Sequence, residues 1–227
     1  MKVLISGASG LIGSALVPYL ESRGHTVVRL VRDRAKEGVF WDPQSGVIEI
    51  PADLYIDAVI NLSGENIAEG RWTKQKKEKI LSSRIDSTLL LARTAAAMNP
   101  RPKTFLSASG VGYYGNAKDV ILTEDSPEGT GFLADVSWDW EVSALPAHEA
   151  GIRVVYLRIS PVLSSEGGML RRLLPLFRFG LGATLGSGRQ YMSWIAISDL
   201  VAAVDYILRD ESLSGPVNMC SPNPVTN

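Results

Sequence analysis

The sequence predicts an α/β protein, a doubly wound Rossmann parallel sheet with a small substrate lobe. Three observations lead there. Short apolar runs alternate with segments of helical period, the runs are hydrophobic throughout, and a glycine-spaced turn joins the first run to the first helix. Strands buried on both faces lose the polar alternation of half-exposed strands, as a parallel sheet covered by helices requires.

Each element follows from its own pattern. Residues 3–6 are an apolar run ending in glycines, and residues 11–23 repeat apolar positions at helical spacing up to Gly24. Residues 25–31 read as a second strand and 57–62 (DAVINL) as a third. Residues 73–98 form a long helix, charged at its start (TKQKKEK) and apolar later, with the lysines as a solvated face. Then come a strand at 104–108 (TFLSA), a helix at 137–150 opened by GFLADVSWDWE, and a strand at 153–159 (RVVYLRI). Right-handed crossovers place such helices on both faces of the sheet. After Pro161 the pattern changes: residues 164–193 are glycine-rich, carry Arg171 and Arg172, and show no strand–helix alternation. A helix returns at 198–208 and a last strand at 217–219, before a turn-like SPNPVTN. The expected division is 1–160 for a coenzyme-binding domain and 161–227 for a partial substrate lobe with returning elements at 198–219.

Composition narrows the function. A net charge of −1 leaves no basic field for nucleic acid or an anionic membrane. No apolar run is long enough to span a bilayer, and the first residues enter a strand without a signal-peptide pattern. The lone Cys220 has no internal disulfide partner, which favours a reducing compartment, so the expected location is cytoplasmic. His25 and His148 lack metal-ligand spacing to any cysteine, histidine or carboxylate. Trp41, Trp72, Trp138, Trp140 and Trp194 are expected in the core or in pocket walls more than as ligand-stacking platforms, with Trp72 and Trp194 as the exceptions.

The segment Gly7-Ala8-Ser9-Gly10-Leu11-Ile12-Gly13 is G-x-x-G-x-x-G between a strand and a helix. Gly7 permits the tight turn, Gly10 the approach of a pyrophosphate, and Gly13 close helix–strand packing. NAD requires an acidic residue at the end of the second strand, and NADP a cation for the 2′-phosphate. Here Arg32 follows Val31, with Asp33 one residue late, and the sequence predicts NADP(H). Two further strand ends, Asn61-Leu62-Ser63-Gly64 and Ser107-Ala108-Ser109-Gly110, are expected to line the same crevice.

With GASGLIG, NLSG, SASGVGYYG and WIAISDL, the chain resembles the epimerase-dehydratase branch of the extended short-chain dehydrogenase/reductases. It is more similar still to the atypical YfcH-like nucleoside-diphosphate-sugar epimerase family, through WDPQSG, GENI…RW, SSRIDST, GFLADVSWDWE, GSGRQYMSWI and SPNPVTN. The resemblance covers the whole chain. It implies redox or epimerase chemistry on a small molecule such as a sugar nucleotide or carbonyl compound, and a homodimer paired through helix 73–98. Typical relatives carry a Tyr-x-x-x-Lys pair ahead of a glutamate on this helix. Counted from Glu141, those positions are Leu133 and Ser137, and neither does that work. The atypical family lacks the pair as well.

Ser109 matches the serine that accompanies the pair, and Tyr113 and Tyr114 follow it without an activating cation nearby in sequence. Glu65 is either an acid–base group at the mouth of the site or a partner of the following turn and Arg71. Where the family has WIHIDDL, Ala196 and Ser198 remove an imidazole and a carboxylate, leaving Asp199 as a helix cap. Relatives continue beyond PVTN, so the substrate lobe is expected to be incomplete here. The expected activity is that of an NADP(H)-binding oxidoreductase or epimerase, with a non-catalytic redox sensor or regulatory protein as the competing reading.

Overall fold

The computed structural model describes residues 1–184 and 186–226, which excludes Leu185 and the final Asn227 of SPNPVTN. The first apolar run forms β1 (Lys2–Ser6), and the glycine turn leads into α1 (Leu11–Ser22). Then follow β2 (Thr26–Val31), β3 (Val39–Asp42), β4 (Val47–Ile48), β5 (Ala58–Asn61) and α2 (Lys74–Ala97). Thr73 caps α2 through its hydroxyl, which accepts from Lys76 N at 3.2 Å. The chain continues through β6 (Thr104–Gly110), α3 (Phe132–Val142), α4 (Leu145–Glu149) and β7 (Arg153–Ile159). Its last part holds β8 (Val162–Leu163), α5 (Gly168–Arg178), β9 (Tyr191–Met192), β10 (Ile195–Ala196), α6 (Ile197–Arg209), β11 (Gly215–Met219) and β12 (Val225–Thr226).

Among the described residues the main sheet runs β11-β7-β6-β5-β1-β2-β3-β4, parallel throughout except for the β3–β4 pair. The order reverses between β1 and β5, which is the doubly wound Rossmann topology. One face buries Val3, Ile5, Ile60 and Leu157 beneath α1 and α6, with Leu16, Leu20, Leu200 and Val204 as their partners. The other buries Leu4, Val59 and Phe105 against Leu91 and Ala95 of α2 and Ala144 and Ala147 around α4. Among the described residues no helix is long and apolar enough to cross a membrane.

Several expectations are corrected. The helix expected at 137–150 starts five residues earlier, at Phe132, and is divided in two around Ser143 and Ala144, where Pro146 opens α4. A proline fits a first helical turn, where its missing N–H is not needed. The glycine-rich 164–193 segment contains α5, an amphipathic helix with no buried residue. SPNPVTN is more than a turn, since β12 pairs antiparallel with β9. Asp199 does not cap α6; Ala196 holds that position, and Asp199 sits in the first turn, where its charge suits the helix dipole. Trp41 and Trp140 are buried, but Trp72 and Trp138 are 40% and 46% exposed.

Candidate coenzyme crevice

The carboxyl ends of β1, β2 and β5 open onto a cleft of about 1130 Å³ at the reversal point of the sheet. Open α/β sheets bind their ligands at this place. A Cβ on Gly13 would lie 2.2 Å from the Gly7 carbonyl oxygen, so only glycine lets α1 sit this close to the turn. Gly7 has φ +70°, and a Cβ there would stand 2.8 Å from the Leu62 backbone. Gly10 differs, because the nearest atom to a Cβ would be the Gly7 oxygen at 3.4 Å. It N-caps α1 with no side-chain hydrogen bond, leaving the first N–H groups of the helix available to an anion. This cradle fits the pyrophosphate of a dinucleotide. Gly7, Ser9 and Gly10 line the cleft, but Leu11, Ile12 and Gly13 do not. Leu11 leans on Gly167 and Ile12 packs on the core, so a ligand meets these three only through backbone.

At the end of β2, Arg32, Asp33 and Lys36 line the cleft together. Asp33 Oδ1 accepts from Ala35 N at 3.0 Å, a local turn that occupies the carboxylate. Arg32 makes no hydrogen bond or ion pair among the described residues. Nearby Arg34 is held by two 2.7 Å bonds to Glu49 and stacks over Phe40. Lys36, four residues past Arg32, is a second cation that the sequence reading overlooked.

Leu62, Ser63, Gly64 and Glu65 also line the cleft, but Asn61 is fully buried. Asn61 Oδ1 accepts from Ser6 Oγ at 2.6 Å and Ser63 N at 3.2 Å, while Nδ2 donates to Thr88 Oγ1 at 2.7 Å. Its expected contact with the coenzyme is corrected: it ties β1, β5 and α2 together and shapes the loop that follows.

Glu65 does not pair with Arg71. Its carboxylate accepts from Lys76 at 2.7 Å and lies 3.2 Å from Lys79. The Lys76 hydrogen bond is the main cause holding its carboxyl below the ordinary value. A carboxylate clamped by two ammonium groups is a poor proton donor and a weakened base. The lysine run is therefore more than a solvated face, and the Lys76 side chain is only 14% exposed.

Ser107, Ala108 and Ser109 are buried and do not line the cleft. Ser109 Oγ donates to Glu141 Oε1 at 2.7 Å, which corrects its expected place as a crevice hydroxyl. Arg158 grips the same carboxylate at 2.9 and 3.0 Å. It also lies 3.5 Å from the Tyr113 ring centroid and donates to Tyr114 Oη at 2.9 Å, so both tyrosines do have a cation beside them. Tyr114 Oη donates onward to Asn218 Oδ1 at 2.7 Å. Burial raises the Tyr114 pKa, and Arg158 only partly opposes that. Tyr113 accepts from Gly129 N at 2.9 Å through its backbone carbonyl, but its hydroxyl makes no hydrogen bond among the described residues. Ser137 Oγ donates to the Leu133 carbonyl at 2.8 Å and faces Gly112.

A glycine cradle at the switch point of a doubly wound sheet defines a nucleotide-coenzyme-binding α/β protein. Comparison with known proteins sharpens the class. A model of the NAD dependent epimerase/dehydratase family matches residues 3–220, and the chain belongs to that family. It is 49% identical over 227 residues to an epimerase family protein of Mycobacterium bovis, covering 99% of this chain and 75% of that one. It superimposes on human epimerase family protein SDR39U1, solved with NADPH, at a TM-score of 0.91 and 33% identity, covering 100% of this chain and 76% of that one. A nucleoside-diphosphate sugar epimerase from Corynebacterium glutamicum gives 0.86 and 39%, and this chain spans 47% of it.

Proposed function

We propose that the protein is an NADP(H)-dependent oxidoreductase of epimerase type acting on a small carbonyl or sugar-nucleotide substrate. Residues 1–160 hold the coenzyme and 161–227 contribute to the substrate side. The observation that carries this reading is the end of β2, where Arg32 and Lys36 face the cleft and Asp33 is turned onto its own backbone. The human relative solved with NADPH supports it.

When bound, the nicotinamide supplies or accepts hydride at a carbonyl carbon. The chain's own tasks are to hold the pyrophosphate at the α1 N-terminus, to meet the 2′-phosphate with Arg32, and to move a proton at the carbonyl oxygen. Of the four candidate groups, Ser109 is committed to Glu141, Glu65 is clamped by lysines, and Tyr114 is bonded between Arg158 and Asn218. Tyr113, 7% exposed and outside the cleft lining like Ser109, keeps a hydroxyl with no hydrogen bond among the described residues, and we assign the proton to it.

Titration with NADPH and NADH tests the coenzyme. Loss of one charge-assisted contact worth about 1.5–3 kcal/mol weakens NADPH by roughly 10- to 150-fold in Arg32→Ala and leaves NADH unchanged. Equal binding of both coenzymes by the wild type overturns the reading. Once a substrate is found, Tyr113→Phe lowers kcat by roughly 100-fold or more; wild-type turnover removes Tyr113 from the mechanism.

A further inference from the structure

Arg84, on α2, is a cation packed behind the Gly64–Glu65 wall of the crevice, without itself lining it, that none of these roles uses. Its Nη1 donates to the Glu65 and Ile80 carbonyls at 3.1 and 3.0 Å. The guanidinium carbon lies 4.7 Å from the Trp140 ring centroid, and a Cβ on Gly64 would stand 3.1 Å from it. The group therefore rests against the loop that lines the cleft, and against α3 one turn beyond Ser137.

Its Nε and Nη2 make no hydrogen bond among the described residues. Nor are they sealed in the core, because the one fully buried, unpartnered side-chain nitrogen or oxygen found there is His25 Nδ1. Among the described residues Arg84 has no ion pair, and the neighbouring carboxylate of Glu65 is already shared by Lys76 and Lys79. Burial pushes the Arg84 pKa down to about 10, with the Glu65 charge opposing it. A half-desolvated guanidinium without a counter-ion gains most from a ligand that supplies one, and its planar fork matches a pair of oxyanion oxygens.

We propose that Arg84 anchors an oxyanion-binding site beside Gly64 and Trp140, taking the phosphate or carboxylate oxygens of a ligand that reaches past the Gly64 wall of the crevice. The proposal rests on the coenzyme reading only for the source of that oxyanion, which is either the coenzyme itself or an acidic group on a second ligand.

Calorimetric titration with inorganic phosphate tests it, on the wild type, Arg84→Gln and Gly64→Ala, each with and without saturating NADPH and each checked for folding by its melting temperature. Gly64→Ala keeps the charge but displaces the guanidinium, so the test survives if Arg84→Gln fails to fold. Both variants are expected to bind phosphate at least about tenfold more weakly than the wild type. Arg84-dependent phosphate binding that persists beside NADPH supports the site and assigns the oxyanion to a second ligand. Arg84-dependent phosphate binding that NADPH abolishes, with NADPH itself weakened in Arg84→Gln, supports the site and assigns the oxyanion to the coenzyme. If the wild type binds phosphate through Arg84 but does not bind NADPH, the coenzyme reading falls and this site stands. Wild-type phosphate affinity in the folded variants, or no phosphate binding by the wild type, overturns it.

Discussion

Removing the Glu141 carboxylate should destabilise the fold more than any single change at the cleft. Glu141 accepts from Ser109 at 2.7 Å and from Arg158 at 2.9 and 3.0 Å, and all three residues are at most 7% exposed. Burial alone pushes the Arg158 guanidinium towards losing its proton, but the bonds to Glu141 and Tyr114 outweigh this and hold its pKa above the ordinary value. Glu141→Ala leaves that cation without its counter-ion in the core, at a cost of about 3–5 kcal/mol. For a chain of this size each kcal/mol lowers Tm by roughly 2–4 °C, so the expected loss is roughly 6–20 °C. Urea melts followed by circular dichroism supply the free energies. The double variant Glu141→Met/Arg158→Met removes both charges and should lose less than the sum of its two singles. Ser109→Ala deletes one donor and leaves the ion pair, so its cost should stay near 1 kcal/mol. A Glu141→Ala protein within about 1 kcal/mol of wild type, or a strictly additive double variant, would refute the argument that this buried pair holds β6, β7 and α3 together.

Two glycines of the cradle should separate binding from stability. Gly10→Ala meets no atom closer than 3.4 Å, so it should keep the wild-type Tm while losing NADPH affinity, as calorimetry would register. Gly13→Ala places a carbon 2.2 Å from the Gly7 oxygen and should lose both, with a stability cost of at least about 1–3 kcal/mol in a melt. The sheet's opposite end should show in acid. Burial raises the Asp205 pKa, but His25 at 2.8 Å and Arg209 at 3.1 Å outweigh it, and the net value lies below the ordinary one. The stabilisation is therefore complete above the unfolded pKa of about 3.9 and is lost as pH falls through the lower folded value. Asp205→Asn should cost stability at neutral pH and flatten the fall in stability below about pH 4; an unchanged acid limb would discount the cluster.

Much of the scaffold was legible because its signals are local. The β7 expectation matched residue for residue, and α1, β5, α2 and α6 were placed to within a residue or so at each end. Their apolar period and flanking turns are properties of a short window. The division of the 137–150 helix and the presence of α5 were missed for two different reasons. Pro146 was not weighed as a helix start, and the exposed α5 carries no buried face to compare with the core helices.

The site divided along the same line. Glycine spacing and the residue after β2 are contiguous, so, although Lys36 was missed, the cradle and Arg32 could be read from the chain. The polar network could not. Ser109 meets Glu141 across 32 residues, Tyr114 meets Arg158 across 44 and Asn218 across 104. Sequence by itself determined the strand–helix alternation and the glycine cradle. Tertiary structure alone decided which charges meet: Glu65 with Lys76 and Lys79, Glu141 with Arg158, and Arg84 with no ion pair among the described residues. The reason is physical, because electrostatic and hydrogen-bond energies depend on separation and burial in space, and the order of strands in the sheet sets both.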